Sequence, residues 1–243
     1  MFGCSEYPGG DGPHPPAPLA ILHGTTIQEI SNPESPKHLA NTVSVSLASA
    51  VITAVDRYDE TADGKSQGTI YVQDVASSAP FSGISLFKPG LGGHGYRPAS
   101  GDVFSLQGLY QENKSIGNAR FPNGGVLPQI FQPVGLFRFE SQPPEPLKIE
   151  ASELYSFQTG RKWLGMVVTI PNITIAGFTN DGRGRVTAPI ASSKSSTLIT
   201  NEICNIPIEK FPPGTAFASV TGVVTYFFDL HIAPRSLDDL VLK

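Results

Sequence analysis

The chain reads as an all-β protein that closes twice into small, mostly antiparallel barrels. Glycine and proline are plentiful, at 25 and 22 of 243 residues, while charged residues make up only 16%. That balance suits short strands joined by many turns. Long amphipathic helical runs are absent. The decisive feature is a repeat of form. Gly68–Tyr110 runs strand, turn, strand, glycine-rich loop and a Gly-Asp turn into another strand, and Trp163–Leu240 repeats that logic. The hydrophobic fraction of 40% is enough for packed cores at this length.

Taken in order, residues 1–24 are crowded with proline and glycine and predict a disordered tether. Residues 25–143 form the first predicted barrel and 144–243 the second, each preceded by a short helix. Thr25–Ile30 carries a threonine with Gln or Glu three residues on, a capping-box pattern. Thr42–Val55 alternates apolar and small polar residues with a register change near Ala48–Ala50, which predicts a long bent strand. A polar hairpin loop, residues 56–64, leads to strands at 69–74 and 83–87. Residues 89–100 are too rich in Gly and Pro to be regular. A strand at 103–108 follows, and the segments 129–131 and 136–139 close the first barrel. Ser141–Pro146 is the best linker in the chain.

The cycle then restarts. Ala151–Tyr155 is the second short helix. Trp163–Ala176 is a long strand or strand pair interrupted at Pro171-Asn172, and Asn180–Gly184 is a turn. Strands at 198–200, 217–228 and 230–233 complete the second barrel.

Charge excludes some functions and leaves others open. Seventeen basic against 21 acidic residues give a net charge of −4. The basic balance that a polyanion binder uses to replace condensed counterions is missing. No apolar run approaches the ~20 residues needed to span a bilayer. The two cysteines, Cys4 and Cys204, allow at most one disulfide, and no Cys/His cluster suggests a structural metal. Cys204 sits among apolar residues and reads as a buried thiol. Cys4, in a Gly-Cys pair ahead of the flexible stretch, resembles the lipidated residue of a bacterial lipoprotein; the other reading is an exposed tail with an incidental thiol.

The residues also carry a family resemblance. I-Y-V-Q-D at Ile70–Asp74, G-I-S-L-F at Gly83–Phe87, G-D-V-F-S-L-Q-G at Gly101–Gly108 and L-P-Q-I at Leu127–Ile130 resemble an OB-fold group of secreted bacterial proteins. The second half is similar to a paired module of that group through Trp163–Ile170, Ser219–Val224 and Ile232–Leu240. The resemblance spans roughly residues 25–243. It implies two tandem five-stranded OB-fold barrels, and company with extracellular nuclease or phosphoesterase domains or a place in surface lipoproteins. No catalytic domain accompanies the barrels here. In such a barrel the ligand face lies on strands two and three and the loops around them. That places Tyr71, Gln73, Phe87 and Lys88 on the face, with His94, Tyr96 and Arg97 in the neighbouring loop. The rings can stack on bases or sugars and the cations can meet phosphate; the competing reading is that the rings pack and the cations are solvated.

Other candidate chemistry is thinner. Gly90–Gly95 matches G-x-G-x-x-G, but Tyr96-Arg97-Pro98 follows where a helix is required, so dinucleotide binding is rejected. Asp56, Asp59, Glu60 and Asp63 crowd one loop and offer oxygen ligands to Ca²⁺, though their spacing is not that of an EF-hand. No nucleophile or metalloprotease motif occurs, and His94 near Arg97 and Asp102 is the single enzyme-like grouping. Arg235 is expected to pair with the nearby acids. No cofactor is expected. The sequence thus predicts a non-catalytic, secreted or surface-anchored binding protein whose partner is a protein, a glycan or single-stranded nucleic acid. The alternative is a nucleic-acid-binding accessory of an extracellular nuclease system.

Overall fold

The computed structural model describes residues 25–39, 43–64, 68–75, 77–92, 95–191 and 198–243. The proposed tether and Cys4 lie outside the described residues, as does His94. Among the described residues no helix is long and apolar enough to cross a membrane.

The first half opens with the predicted short helix, α1 (Ile27–Ser31), and both arms of its capping box are made: the Thr26 hydroxyl accepts from Glu29 N–H, and the Glu29 carboxylate accepts from Thr26 N–H. A second cap comes from far along the chain. Asp74 accepts from the N–H groups of Ile27 (2.8 Å) and Gln28 (3.0 Å), so the helix start is pinned to a strand end. Burial pushes the Asp74 carboxyl up to about 6.

Strands β1 (Val43–Val55), β2 (Ile70–Asp74), β3 (Gly83–Phe87), β4 (Gly90–Leu91) and β5 (Asp102–Asn113) follow. A small hairpin, β6 (Ser115–Ile116) with β7 (Ala119–Arg120), leads to β8 (Leu127–Glu140). β1 pairs antiparallel with β2 and β5, β2 with β3, and β5 with β8; β3 and β8 run parallel and close the ring. The register shift expected near Ala48–Ala50 falls between Leu47 and Ala50, where β1 bends. The two closing segments expected at 129–131 and 136–139 are one continuous strand. It bends at Gln132, which adopts a positive φ, so its first part serves β3 and its second part β4.

The second half reuses the circuit. Its strands are β9 (Leu147–Lys148), β10 (Val167–Thr174), β11 (Thr179–Asn180), β12 (Val186–Pro189), β13 (Leu198–Thr200), β14 (Ala216–Phe227), β15 (Asp229–Ala233) and β16 (Leu240–Leu242). β10 pairs with β14, β14 with β15, β15 with β13 in parallel and β13 with β12. An isolated bridge between Ile175 and Ile190 links the ends of β10 and β12 and completes the loop. In both halves, then, the third and fifth ring strands are the parallel pair. The helix expected at Ala151–Tyr155 is a 3-10 turn, Ala151–Leu154, followed by the single-turn α2 (Phe157–Gly160). Trp163 precedes β10 in a second 3-10 turn instead of starting a strand. Pro171-Asn172 does not end β10: the strand continues past it, with Asn172 at positive φ.

Each ring has its own core. Leu47, Ile52, Leu86, Phe104 and Leu106 are among the residues filling the first, and Met166, Ile170, Phe217 and Val224 among those in the second. A third cluster joins them: Ala54 and Tyr71 pack on Val167, Ile203, Val223 and Ala233. This seam explains why β2 is buried along its whole length instead of on alternate residues. At the seam two glycines bring backbones together. A Cβ on Gly83 would sit 2.5 Å from the Gly165 carbonyl carbon and 2.6 Å from Met166 N, and Gly165 itself has φ +75. Beside them Gln73, wholly buried, accepts a hydrogen bond from Val167 N–H at 2.8 Å, and Phe81 N–H donates to the Lys162 carbonyl at 2.6 Å. Outside the seam, Arg235 forms the expected carboxylate pair, forked onto Asp239 at 2.8 and 2.9 Å.

Gly83→Ala is expected to overpack the seam by about 1–3 kcal/mol and lower the thermal midpoint by roughly 2–10 °C. A calorimetric midpoint unchanged from wild type would contradict this account of the seam.

Candidate functional site

Because the rings meet along β2 and β3 on one side and β10 and β14 on the other, the surfaces flanking the seam face each other. Between them lies a cleft of about 920 Å³, within the size range of small-molecule sites. The same parts of each ring line it. From the first ring come Tyr71 of β2, Ser85 and Phe87 of β3, the β1–β2 loop with Asp56 and Glu60, and the β5–β8 connection with Ile116. From the second come Thr187 of β12, Thr200 of β13 and Glu202 just after it, the β10–β12 loop with Asp181 and Arg185, and Phe228-Asp229 at the β14–β15 turn.

Acidic side chains dominate the charged residues of the lining. Glu202 is held by two hydroxyl donors, Tyr71 at 3.0 Å from across the seam and Thr225 at 2.6 Å from its own ring. Asp56 accepts from Tyr58 N–H at 3.1 Å. Glu60 lies 3.3 Å from Nε of Arg185, and its other oxygen, Oε2, is buried with no hydrogen-bond partner. Burial, reinforced by Glu202, Glu60 and Asp59, pushes the Asp56 carboxyl up to about 8. Burial also raises Glu60. The Tyr71 hydroxyl is held well above its usual range by burial and then by the Glu202 charge. His231, on β15 beneath the cleft, is driven down by burial, which keeps its ring neutral at pH 7. The Arg185 guanidinium stacks 4.5 Å from the centre of the Phe227 ring.

The residues singled out from the sequence separate into distinct roles. Tyr71 and Phe87 line the cleft; Phe87 is 40% exposed and stacks against Phe131. Gln73 is spent on the seam, because its carbonyl oxygen is needed by Val167 N–H. Lys88 sits at positive φ with its ammonium 5.5 Å from the centre of the Phe87 ring. Tyr96 donates to Asp102 and packs on Phe104 and Phe137, so it belongs to the first core; burial raises its hydroxyl. Arg97 is exposed in the same loop and does not line the cleft.

The four loop acids do not act as a set. Asp56 and Glu60 turn inward, whereas Asp59 caps its own loop, accepting from Gly64 N–H at 2.6 Å, and Asp63 lines the cleft. Among the described residues no three of His, Cys, Asp and Glu are arranged to hold a metal ion. Cys204 is half-buried against the second core and unpaired, and burial raises its thiol to about 11. Sequence reasoning missed Glu202, Arg185 and Thr225. No local motif marks them: Glu202 and Arg185 find Tyr71 and Glu60 on the other ring, and Thr225 finds Glu202.

No known family model matches the chain, and no curated protein matches it.

The Asp56 carboxyl, at about 8 when folded against an ordinary value of 3.8, binds a proton in the native state that the unfolded chain has lost. Stability therefore falls as pH rises from about 4 to about 8 and is level above. In Asp56→Asn that share of the fall, on the order of a few kcal/mol, should disappear while Tyr58 N–H keeps an acceptor. Urea unfolding of both chains across this range checks it, and superimposable pH profiles would overturn it.

Proposed function

We propose that the chain is a non-catalytic ligand-binding protein built of two OB-fold barrels, and that it binds its ligand in the cleft between them. The observation that carries this reading is the coincidence of two faces. An OB-fold presents ligand on its second and third strands and on the loops joining strands one to two and four to five. Those parts of each ring line the cleft, together with stretches of β8, β14 and β15. The OB-fold reading itself rests on the strand circuit, with a parallel third and fifth strand in both halves.

The carboxylates support a seat over a reaction centre. Glu202 is fixed by two hydroxyls, Asp56 by a backbone N–H and Glu60 by Arg185, which makes them preorganised acceptors. The acidic wall also weighs against the nucleic-acid alternative, since a phosphate backbone entering the cleft would face like charge. A secreted or lipid-anchored location through Cys4 fits such a binding role and belongs to the same proposal.

Ser115→Trp would plug the cleft from the β5–β8 connection, where Ser115 is half-buried and outside both cores. In a thermal-shift panel of sugars, amines, short peptides and single-stranded oligonucleotides, any compound that raises the wild-type midpoint is expected to lose its effect in this variant. Stabilisation that persists in Ser115→Trp would place the site elsewhere and overturn the reading. Oligonucleotide retained at low salt and released as salt rises would favour the nuclease-accessory alternative.

A further inference from the structure

We propose that the cleft selects an organic cation, an ammonium or guanidinium group on an apolar body, with its charged head against Asp56, Glu60 and Glu202. The proposal rests on the cleft being the ligand seat and adds the chemical class of what sits there.

The first support is charge. Among the described residues that line the cleft, Glu60, Asp63, Asp181, Glu202 and Asp229 face Arg185 as the one strong cation, and Asp56 adds a carboxyl that a ligand cation can ionise. His231 adds no charge at pH 7, because burial lowers its affinity for a proton.

The second support is an unmet hydrogen bond. The Glu60 side chain is 5% exposed and its Oε2 has no partner. A buried acceptor left without a donor costs folding free energy, more when it carries charge. A ligand N–H brought to this oxygen would remove that cost.

The apolar body has a matching surface. Phe87, Ile116 and Phe227 are each more than a third exposed and all line the cleft. Both aromatic rings, Phe87 and Phe227, already hold one of the chain's own cations, Lys88 over Phe87 and Arg185 over Phe227. Ring faces so placed attract a ligand cation by the same quadrupole. A bare metal ion suits the wall less well, because it needs ligands converging on one point and the carboxylates are not so arranged. A hydrogen-bonding head with donors pointing apart can span them.

Proton release accompanies the binding. Asp56 faces Asp59 and Glu60 on its own loop, Tyr71 on β2 and Glu202 after β13, while Arg185 pairs with Glu60. In that company Asp56 stays protonated at neutral pH. A cation set beside it favours the charged form, so uptake of the ligand expels a proton and affinity rises toward pH 8.

The test uses three probes of nearly equal shape, phenethylammonium, 2-phenylethanol and phenylacetate, titrated into the full chain and followed by backbone amide NMR. The ammonium is expected to move the signals of Tyr71, Leu164, Glu202 and Thr225, and the other two to leave them in place. Its dissociation constant should tighten at least about threefold between pH 6 and pH 8. Glu60→Gln and Glu202→Gln, each checked for an intact melt, should weaken it by about tenfold. If the alcohol or phenylacetate moves the same signals as strongly, cation selectivity is overturned and the cleft remains the seat. Should none of the three move them, the cation proposal falls, and the plugged Ser115→Trp variant decides the seat separately. Unchanged affinity in both glutamine variants also overturns it.

Discussion

The close approach of Gly83 to Gly165 governs the rest of the molecule. With no Cβ on either residue, the third strand of the first ring lies directly on the backbone that enters the second, and the Gln73–Val167 hydrogen bond locks the lateral position. Two small barrels joined only by the segment Ser141–Pro146 would be free to tumble relative to one another. The seam removes that freedom. It also decides which surfaces oppose each other, so a cleft exists because the two backbones touch where they do.

The same contact produces the unusual electrostatics. Asp56, Glu60 and Glu202 would be ordinary solvated acids on isolated rings. Brought together beside the seam, Asp56 and Glu60 lose water, the carboxylates repel one another, and Glu60 pairs with Arg185. Burial is the largest cause for both Asp56 and Glu60; neighbouring carboxylates add to it for Asp56, whereas Arg185 opposes it for Glu60. Such an arrangement costs folding free energy. It persists because Tyr71, Thr225 and Tyr58 N–H supply donors fixed by the surrounding strands.

Much of the fold was legible from local pattern. The alternation in Val43–Leu47, the polar loop after Asp56, the Gly-led strands and the capping box at Thr26 each depend on neighbours within a few residues, and each appears where the sequence places it. The errors have a common origin. Pro171-Asn172 and Gln132 look like strand ends, yet the ladder carries the chain through a positive φ on each strand. Trp163 looks like a strand residue and is instead held in a turn, its indole donating to Glu153 at 3.2 Å. For the site, Tyr71 and Phe87 could be placed because a barrel face is a local property of two strands. Glu202, Arg185 and Thr225 could not, because their partners lie more than a hundred residues away or across a ring, and nothing in a single stretch of sequence encodes that meeting.

Phe121 gives the tandem arrangement a different character from two beads on a string. It leaves the first ring on the β5–β8 connection and inserts into the second core, against Tyr226 and Phe228 at 4.9 and 5.4 Å between ring centres. Half of the chain therefore supplies a plug to the other half. A cut at the linker would strip the second barrel of a buried aromatic and leave the first with a protruding one. The unit that folds intact is consequently the pair, and either ring moved alone into a new protein would carry a defect with it.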